Sequence, residues 1–508
     1  MSYNFQSMEK SPVIVVVGHI DHGKSTLLDY IRKTKITESE AGGITQRISA
    51  YEIEHQQKKM TFIDTPGHEA FSAMREQGAL AADLAILVVS AEEGVKPQTL
   101  EAKATIEKNQ LPYIVAINKI DKPTANLETT KKSLAENGIY LEGRGGEVPV
   151  AAISAKTGQG VPELLDLILL ATEMAALKKD RPAETAGADW LAEGFILEVQ
   201  TSPQQGVTAV AIIRRGALRR GDYLGAANDD CFRIKKLEDW RGAEAEVLTA
   251  SSPAMIFGWK TPPAPGARWY SAATKDWLAE KIKPADGLPP PPARPAPAAD
   301  QPASDGEKEK IVPVIIKTQT FGSRLAVEKE IGKISVPNLK IQILDSGIGV
   351  LTENDIKLAR ASGAIVVGFQ VKIEKAAADL AIKNQTTYGV FDIIYKLNEW
   401  LEAELERRRP RIEVEIIIGS AKIIKLFSQT KNKQVVGGLV LEGKISNRRA
   451  VRVKRRGADL GAGEILELQQ QQTAVKEVEK GKQFGALVET RHALAAGDVL
   501  EILEIERK

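Results

Sequence analysis

The chain has 508 residues, 43% apolar and 27% charged, which is enough for several domains and excludes wholesale disorder. Lys and Arg number 69 against 67 Asp and Glu, a net charge of +2, so bulk charge points to no nucleic-acid or membrane partner. A lone cysteine, Cys231, excludes a disulfide framework and a thiolate metal cluster; no apolar run reaches the about 18 residues of a membrane helix, and the short tail Met1–Lys10 lacks the apolar core of a secretion signal, so a cytoplasmic chain with no membrane partner is expected.

Residues 11–178 alternate short apolar runs with helical stretches. Val13–Val17, Ala85–Val89, Tyr113–Ile117 and Pro149–Ile153 are nearly continuous apolar segments, the texture of strands buried on both faces of a parallel sheet wrapped by helices. Over 188–283 the texture changes. Five of the six tryptophans lie there, and strand-like pieces such as Gly194–Val199 and Thr208–Ile213 are broken by Gly and Pro, as in an antiparallel β-barrel. Residues 284–310 read as a semi-rigid linker, because eight of the 24 prolines fall between Pro284 and Pro302. From 311 to 387, strands at Val312–Ile316, Lys340–Leu344 and Ala364–Phe369 alternate with helices at Ser323–Gly332 and Thr352–Ala361, the second capped by Thr352. That pattern predicts an α/β/α domain. Val390, Phe391, Ile394, Leu397, Leu401 and Leu405 recur at helical spacing and predict a long connecting helix over 388–410, stopped at Pro410. Residues 411–508 return to barrel texture. Ala217–Leu224 (ALRRGDYL) is echoed by Ala493–Leu500 (ALAAGDVL), which predicts two barrels of related design. The fold class expected is multidomain α/β and β.

The strongest chemical signal follows the first strand. Gly18-His-Ile-Asp-His-Gly23-Lys24-Ser25 fits G-x-x-x-x-G-K-[ST] between an apolar strand and an amphipathic helix from Ser25 to Ile31. Glycines permit torsions that turn N–H groups toward phosphate oxygens, and the next helix aims its positive end at the same anion. Gly18, His19, Asp21, His22, Gly23, Lys24, Ser25 and Thr26 form the phosphate-binding set, with Lys24 reaching the β- and γ-phosphates and Ser25 ligating Mg²⁺. Asp64-Thr-Pro-Gly67 ends the strand Thr61–Ile63, where Asp64 can hold Mg²⁺ through water and the Gly67 N–H can meet the γ-phosphate. Asn118-Lys119-Ile-Asp121 ends another strand; a carboxylate there accepts from the two N–H donors of guanine, an edge that adenine lacks. Ser154-Ala155-Lys156 ends a fourth strand and suits a backbone contact to the guanine oxygen. All four pieces sit at strand carboxyl ends, where open α/β sheets place ligands. His68, directly after Gly67, is placed to orient a water in line with the γ-phosphate.

These motifs resemble the GTPases of the translation-factor superfamily. The segment Ala41-Gly-Gly-Ile-Thr45-Gln-Arg-Ile48 and the stretch Asp64–Phe71 resemble bacterial-type translation initiation factor two most closely, over nearly the whole chain. The paired glycines imply a mobile loop and Thr45 a switch that ligates Mg²⁺ only while the γ-phosphate is present. The resemblance implies a ribosome-stimulated GTPase that uses GTP, GDP and Mg²⁺, with a monovalent cation at Asp21. It implies a monomer whose GTP form brings formylmethionyl initiator tRNA to the small ribosomal subunit and promotes joining of the large one, alongside other initiation factors. Family members carry a long N-terminal extension, against ten residues here before the first strand. Another translational GTPase delivering a specialised aminoacyl-tRNA, or a nucleotide-gated ribosome- or RNA-binding scaffold with little hydrolysis, are the alternatives.

In the family the last barrel holds the formylmethionyl end. Here its pattern departs: Gln469–Gln472 replaces a basic and aromatic stretch, Gln483-Phe484-Gly485 replaces Glu-Cys-Gly, and Gly438 stands where a cysteine is common. Gln469 and Gln470 can hydrogen-bond the amide and ester, with Phe484 packing on the methionine beside Gly485. Independently of family, Gly443–Arg456 holds seven positive charges in 14 residues and no acid, so Arg448, Arg449, Arg452 and Lys454 are expected against the phosphates of an RNA stem.

Overall fold

The computed structural model describes residues 11–33, 45–178, 190–226, 231–281, 310–409 and 413–507, which fall into two units, 1–408 and 409–508. The N-terminal tail, the glycine loop before Thr45 and the proline-rich linker lie outside the described residues.

In the first unit, strands β1 (Val13–Gly18), β2 (Ser49–His55), β3 (Lys58–Asp64), β4 (Leu84–Ser90), β5 (Tyr113–Asn118) and β6 (Val150–Ala152) lie in the order β2-β3-β1-β4-β5-β6. All run parallel except β2, which is antiparallel to β3 at the edge. Helices α1 (Lys24–Arg32), α2 (Ser72–Ala81), α3 (Pro97–Lys108), α4 (Leu127–Glu136) and α5 (Val161–Lys178) cover both faces. Alternate side chains of β1 therefore enter different cores. Val13, Val15 and Val17 face the α2–α4 side; Ile14 and Val16 face α1 and α5. Neither side meets water, which is why the strand reads as an unbroken apolar run; each such side chain contributes about 1.5–3 kcal/mol when buried.

An antiparallel barrel follows: β7 (Trp190–Ser202), β8 (Gly206–Arg219), β9 (Tyr223–Ala226), β10 (Phe232–Arg233), β11 (Lys236–Glu238), β12 (Val247–Thr249), β13 (Pro253–Trp259) and β14 (Arg268–Ala272), then α6 (Lys275–Lys281). It encloses Ile196, Leu224, Ile256 and Trp269. Polar bonds fix it to the first sheet: Thr61 Oγ1 donates to Ser251 O (2.7 Å), Ser252 Oγ to Glu52 Oε1 (2.6 Å), and Arg214 pairs with Asp83 (2.7 Å).

A second parallel sheet holds β15 (Lys310–Thr318), β16 (Leu339–Ile348), β17 (Ile365–Phe369) and β18 (Tyr388–Phe391) in the order β16-β15-β17-β18. Helices α7 (Phe321–Ile331), α8 (Glu353–Ser362), α9 (Lys375–Asn384) and α10 (Ile394–Arg408) complete three layers. Helix α8 opens as expected at Thr352, whose N–H and hydroxyl both donate to Asp355 Oδ2 (2.9 Å each). The helix expected over 388–410 begins only at Ile394. Tyr388–Phe391 is instead a fourth strand bonded to β17; Val390 and Phe391 fall in helical phase with Ile394 by coincidence. Nor does α10 merely connect: Ile394, Leu397, Leu401 and Leu405 are fully buried in the core that also takes in Val314, Val327 and, from the first barrel, Leu197 and Ile212.

The second unit is a closed antiparallel barrel. Its strands are β19 (Glu413–Thr430), β20 (Lys433–Ser446), β21 (Arg449–Arg455), β22 (Ala458–Gln470), β23 (Thr473–Ala474), β24 (Glu477–Glu479), β25 (Gln483–Thr490) and β26 (Val499–Arg507). The path β19-β26-β21-β22-β25-β20 returns to β19, leaving no open edge among these six. The two echoed segments form one and the same turn. Asp222 accepts from the Arg219 N–H (2.9 Å) and Asp498 from the Ala495 N–H (2.8 Å), with Gly221 and Gly497 at φ 94° and 100°. Among the described residues no helix is long and apolar enough to cross a membrane.

Candidate nucleotide site

The carboxyl ends of β1, β3, β5 and β6 open on one cavity of about 290 Å³. Asp21, Gly23, Lys24, Ser25 and Thr26 line it from the first loop, Thr45, Gly67 and His68 from the two segments around β2 and β3, and Asn118, Lys119, Asp121, Ala155 and Lys156 from the far side. Residues separated by more than a hundred positions meet because all four strand ends point the same way.

The phosphate end is tight. A Cβ at Gly23, φ 85°, would stand 2.3 Å from Asn118 Nδ2, so only glycine turns the chain there. Gly67 approaches so closely that a Cβ would lie 2.5 Å from Lys24 Nζ. Lys24 is buried at the start of α1 and donates to His19 O (2.7 Å). Burial lowers its ammonium to about 8, the Asp64 charge working against that shift. The ammonium stays mostly charged at neutral pH, and a polyanion at this point would favour that form further. Ser25 Oγ and Thr45 Oγ1 lie 2.6 Å apart, and Asp64 is buried at the end of β3. Two hydroxyls and a carboxylate are a hard oxygen set that fits Mg²⁺.

The histidines separate by environment. His22, expected at the phosphates, is fully buried and turned into the sheet; its Nδ1 accepts from the Ser90 N–H (3.3 Å), and burial holds the ring down at about 4. It knits the loop to β4. His19 packs edge-on against it at 4.9 Å and serves through its carbonyl. His68 lines the cavity. Its Nδ1 accepts from the Ala70 N–H (2.9 Å), capping the 3-10 turn Glu69–Phe71, and burial pushes its ring below the ordinary value. The neutral ring then carries its proton on Nε2. Arg75 reaches under the turn, donating to Pro66 O (3.1 Å) and His68 O (2.7 Å) while pairing with Glu101 (2.5 Å). Tyr395 of α10 lies edge-on to the imidazole at 4.7 Å.

At the base end, Asp121 is exposed at the cavity mouth. The Ser154 hydroxyl donates to its Oδ1 (2.7 Å) and holds its carboxyl below the usual range. Ser154 itself is fully buried and positions the acid. Asn118, expected to select the base, faces the protein with both ends of its amide: Nδ2 donates to His22 O (2.8 Å) and Oδ1 accepts from the Ala155 N–H (2.9 Å). It ties three loops together, and the Ala155 N–H is engaged there and not at the base. Lys119 and Lys156 line the mouth, joined by Lys122, which no motif signals. Sequence reasoning also missed Gln46, whose amide donates to Asp392 O (2.8 Å) and accepts from the Ile394 N–H (3.4 Å), linking Thr45's neighbour to the start of α10.

The C-terminal barrel adds to one expectation and corrects another. The basic run does not project freely. Lys444 pairs with Glu477 (3.0 Å), Arg449 with Glu504 (2.8 Å), Arg452 with Asp459 (3.4 Å), Lys454 with Glu501 (2.6 Å) and Arg455 with Asp498 (2.8 Å). Arg448 caps the β20–β21 turn at φ 56°. Phe484 is a core side chain, its ring filling the space beside Gly438. The exposed aromatic is Phe427, 62% accessible, lying over Gly437. Gly437 pairs with Gly485 and Gly485 with Gln469, so a bare glycine shelf runs between Phe427 and Gln469; Gln470 ends β22 beside it.

Comparison with known proteins gives the following. Residues 9–174 match the family described as the elongation factor Tu GTP binding domain, and residues 298–402 match the translation-initiation factor 2 family. The chain is 37% identical over 516 residues to translation initiation factor IF-2 of Bacillus pumilus, covering 98% of this chain and 71% of that protein. It is 35% identical to that of Rubrobacter xylanophilus, covering 98% and 72%, and 36% identical to that of Bartonella henselae, covering 99% and 60%. Against relatives of the last kind, the chain spans about 60% of their length. A crystal structure of GDP-bound aIF5B from Aeropyrum pernix is 24% identical, covering 97% of this chain and 92% of that one, with a TM-score of 0.42.

Proposed function

The chain belongs to the translation initiation factor IF-2 family, and from that premise we propose that it is a GTP-driven initiation factor whose hydrolysis is triggered on the ribosome. The observation that carries the GTPase reading is the convergence of Lys24, the Ser25–Thr45 hydroxyl pair, His68 and Asp121 on a single cavity. Lys24 and the N-terminus of α1 take up the triphosphate charge. Ser25, Thr45 and Asp64 would hold Mg²⁺, which when bound offsets charge on the phosphate oxygens. Asp121 accepts from the paired donors of guanine. His68, with Nδ1 engaged by Ala70, presents Nε2–H at the cavity and aligns the attacking water by donating to it. Water attacks the γ-phosphorus, the bond to the bridging oxygen breaks, the water's proton passes to a γ-phosphate oxygen, and GDP and phosphate leave. Positioning and electrostatics supply the rate.

We assign the ribosomal subunits, initiator tRNA and other initiation factors as partners on the family's footing. In the C-terminal barrel the glycine shelf flanked by Phe427 and Gln469 is the surface we assign to the aminoacyl end, in place of Phe484. The test is twofold. Purified chain should hydrolyse GTP far faster with 70S ribosomes than without, and should bind formylmethionyl-tRNA in preference to elongator tRNA. Ribosome-independent turnover would remove the trigger; equal tRNA binding would remove the initiation role from this barrel.

A further inference from the structure

Strand β7 passes under the start of α7, and Glu198 on it is 4% exposed. Its Oε1 accepts from the Gly322 N–H (3.1 Å), in the first turn of α7, and from the Val199 N–H (3.0 Å). Its Oε2 is buried and has no hydrogen-bond partner among the described residues. The fit is close. A Cβ at Gly322 would stand 2.5 Å from Met74 Cε on α2 and 2.9 Å from Glu198 Oε2. Three layers meet here: the barrel, the helix after His68, and the second sheet. The other end of α7 grips the turn that His68 caps. Lys329 Nζ donates to Glu69 O and to Ser72 Oγ (3.0 Å each), and Lys333 pairs with Glu69 (3.2 Å).

We propose that Glu198 is a positioning residue for His68: it pins the first turn of α7 to the barrel, and α7 in turn braces the Glu69–Phe71 turn that fixes the imidazole. The inference rests on His68 aligning the attacking water. In a dry joint Glu198's one bond to α7 counts for more than it would in water. Burial pushes the Glu198 carboxyl up to about 7, against the pull of the Gly322 and Val199 N–H groups, the Thr320 side chain and the charge of Arg47. Arg47 is a charged group acting on it; Met74, facing it from α2, is apolar. The folded value is raised, so the hold is complete below the ordinary carboxyl range, weakens as pH rises from there toward about 7, and levels off above it.

The experiment uses the full chain, unmodified and as Glu198→Gln and Glu198→Ala. GDP affinity and ribosome-stimulated GTP hydrolysis are measured from about pH 6 to about pH 8.5, a window that covers the upper part of the transition and the plateau beyond it. GDP affinity should stay within about twofold, since the joint does not touch the nucleotide. The rate of Glu198→Gln divided by that of the unmodified chain should rise roughly threefold or more across the window, because the amide keeps its acceptor and never charges; Glu198→Ala should be slower by about tenfold throughout. Titration of His68 is common to both chains and cancels in the ratio. A flat ratio with normal hydrolysis overturns the pin alone. An unchanged rate in Glu198→Ala overturns it too; if that variant does not fold, the glutamine ratio decides. Tight GDP binding without ribosome-stimulated hydrolysis in the unmodified chain overturns the reading of His68, and this inference with it.

Discussion

Asn118 and Asp121 stand three positions apart in one motif and do different work. Asn118 spends its amide on His22 O and the Ala155 N–H, whereas Asp121 keeps an exposed carboxylate steadied by Ser154. Substitutions should separate them. Asn118→Ala is expected to cost the nucleotide-free chain about 1–3 kcal/mol in urea unfolding, because two buried groups lose their partners. Asp121→Asn should leave that stability nearly unchanged and move preference from GTP toward xanthosine triphosphate, whose edge matches the swapped donor and acceptor. Equal losses of stability in both would contradict the division. His68→Ala should bind GTP as before yet lose about 10²–10⁴-fold of ribosome-stimulated hydrolysis in single-turnover kinetics. Retained turnover would show that the ring facing the cavity has no part in the chemistry.

At the scale of elements, the central strands were legible because burial on both faces leaves an unbroken apolar run, as in Val13–Val17. Strand β18 was not: four residues are too few to show a period, and two of them happen to continue the spacing of α10. The buried stripe Leu397, Leu401 and Leu405 makes α10 a layer of the second sheet. Leu401→Ala is therefore expected to cost about 2–5 kcal/mol, read as a lowered unfolding midpoint of the first unit. A change within about 0.5 kcal/mol, the size typical of surface substitutions, would mean the helix is held elsewhere. The ion pairs of the basic run on β21 were hidden for a related reason. Its acidic partners lie on β22, on β26 and in the turn before β26, up to 55 positions away in sequence, and only strand pairing brings them alongside.

For the whole molecule, the four loop motifs and the order of domains could be read from sequence. The motifs are local, and each strand-to-loop junction carries its own glycine, lysine or carboxylate. What could not be read is how elements far apart in sequence lean on the site: Arg75 under the His68 turn, Tyr395 against its ring, Gln46 on the start of α10. The second unit has a closed strand path and a core of its own around Val451, Ile465, Val488 and Ile502. Residues 409–508 expressed alone should accordingly melt cooperatively by circular dichroism; a featureless trace would deny them independent stability. The most direct test of the account as a whole is calorimetric titration of the intact, folded chain with GDP, GTP and ATP in the presence of Mg²⁺. The account predicts saturable one-to-one binding of both guanine nucleotides and none of ATP. No heat with either guanine nucleotide, or equal affinity for ATP, would contradict it.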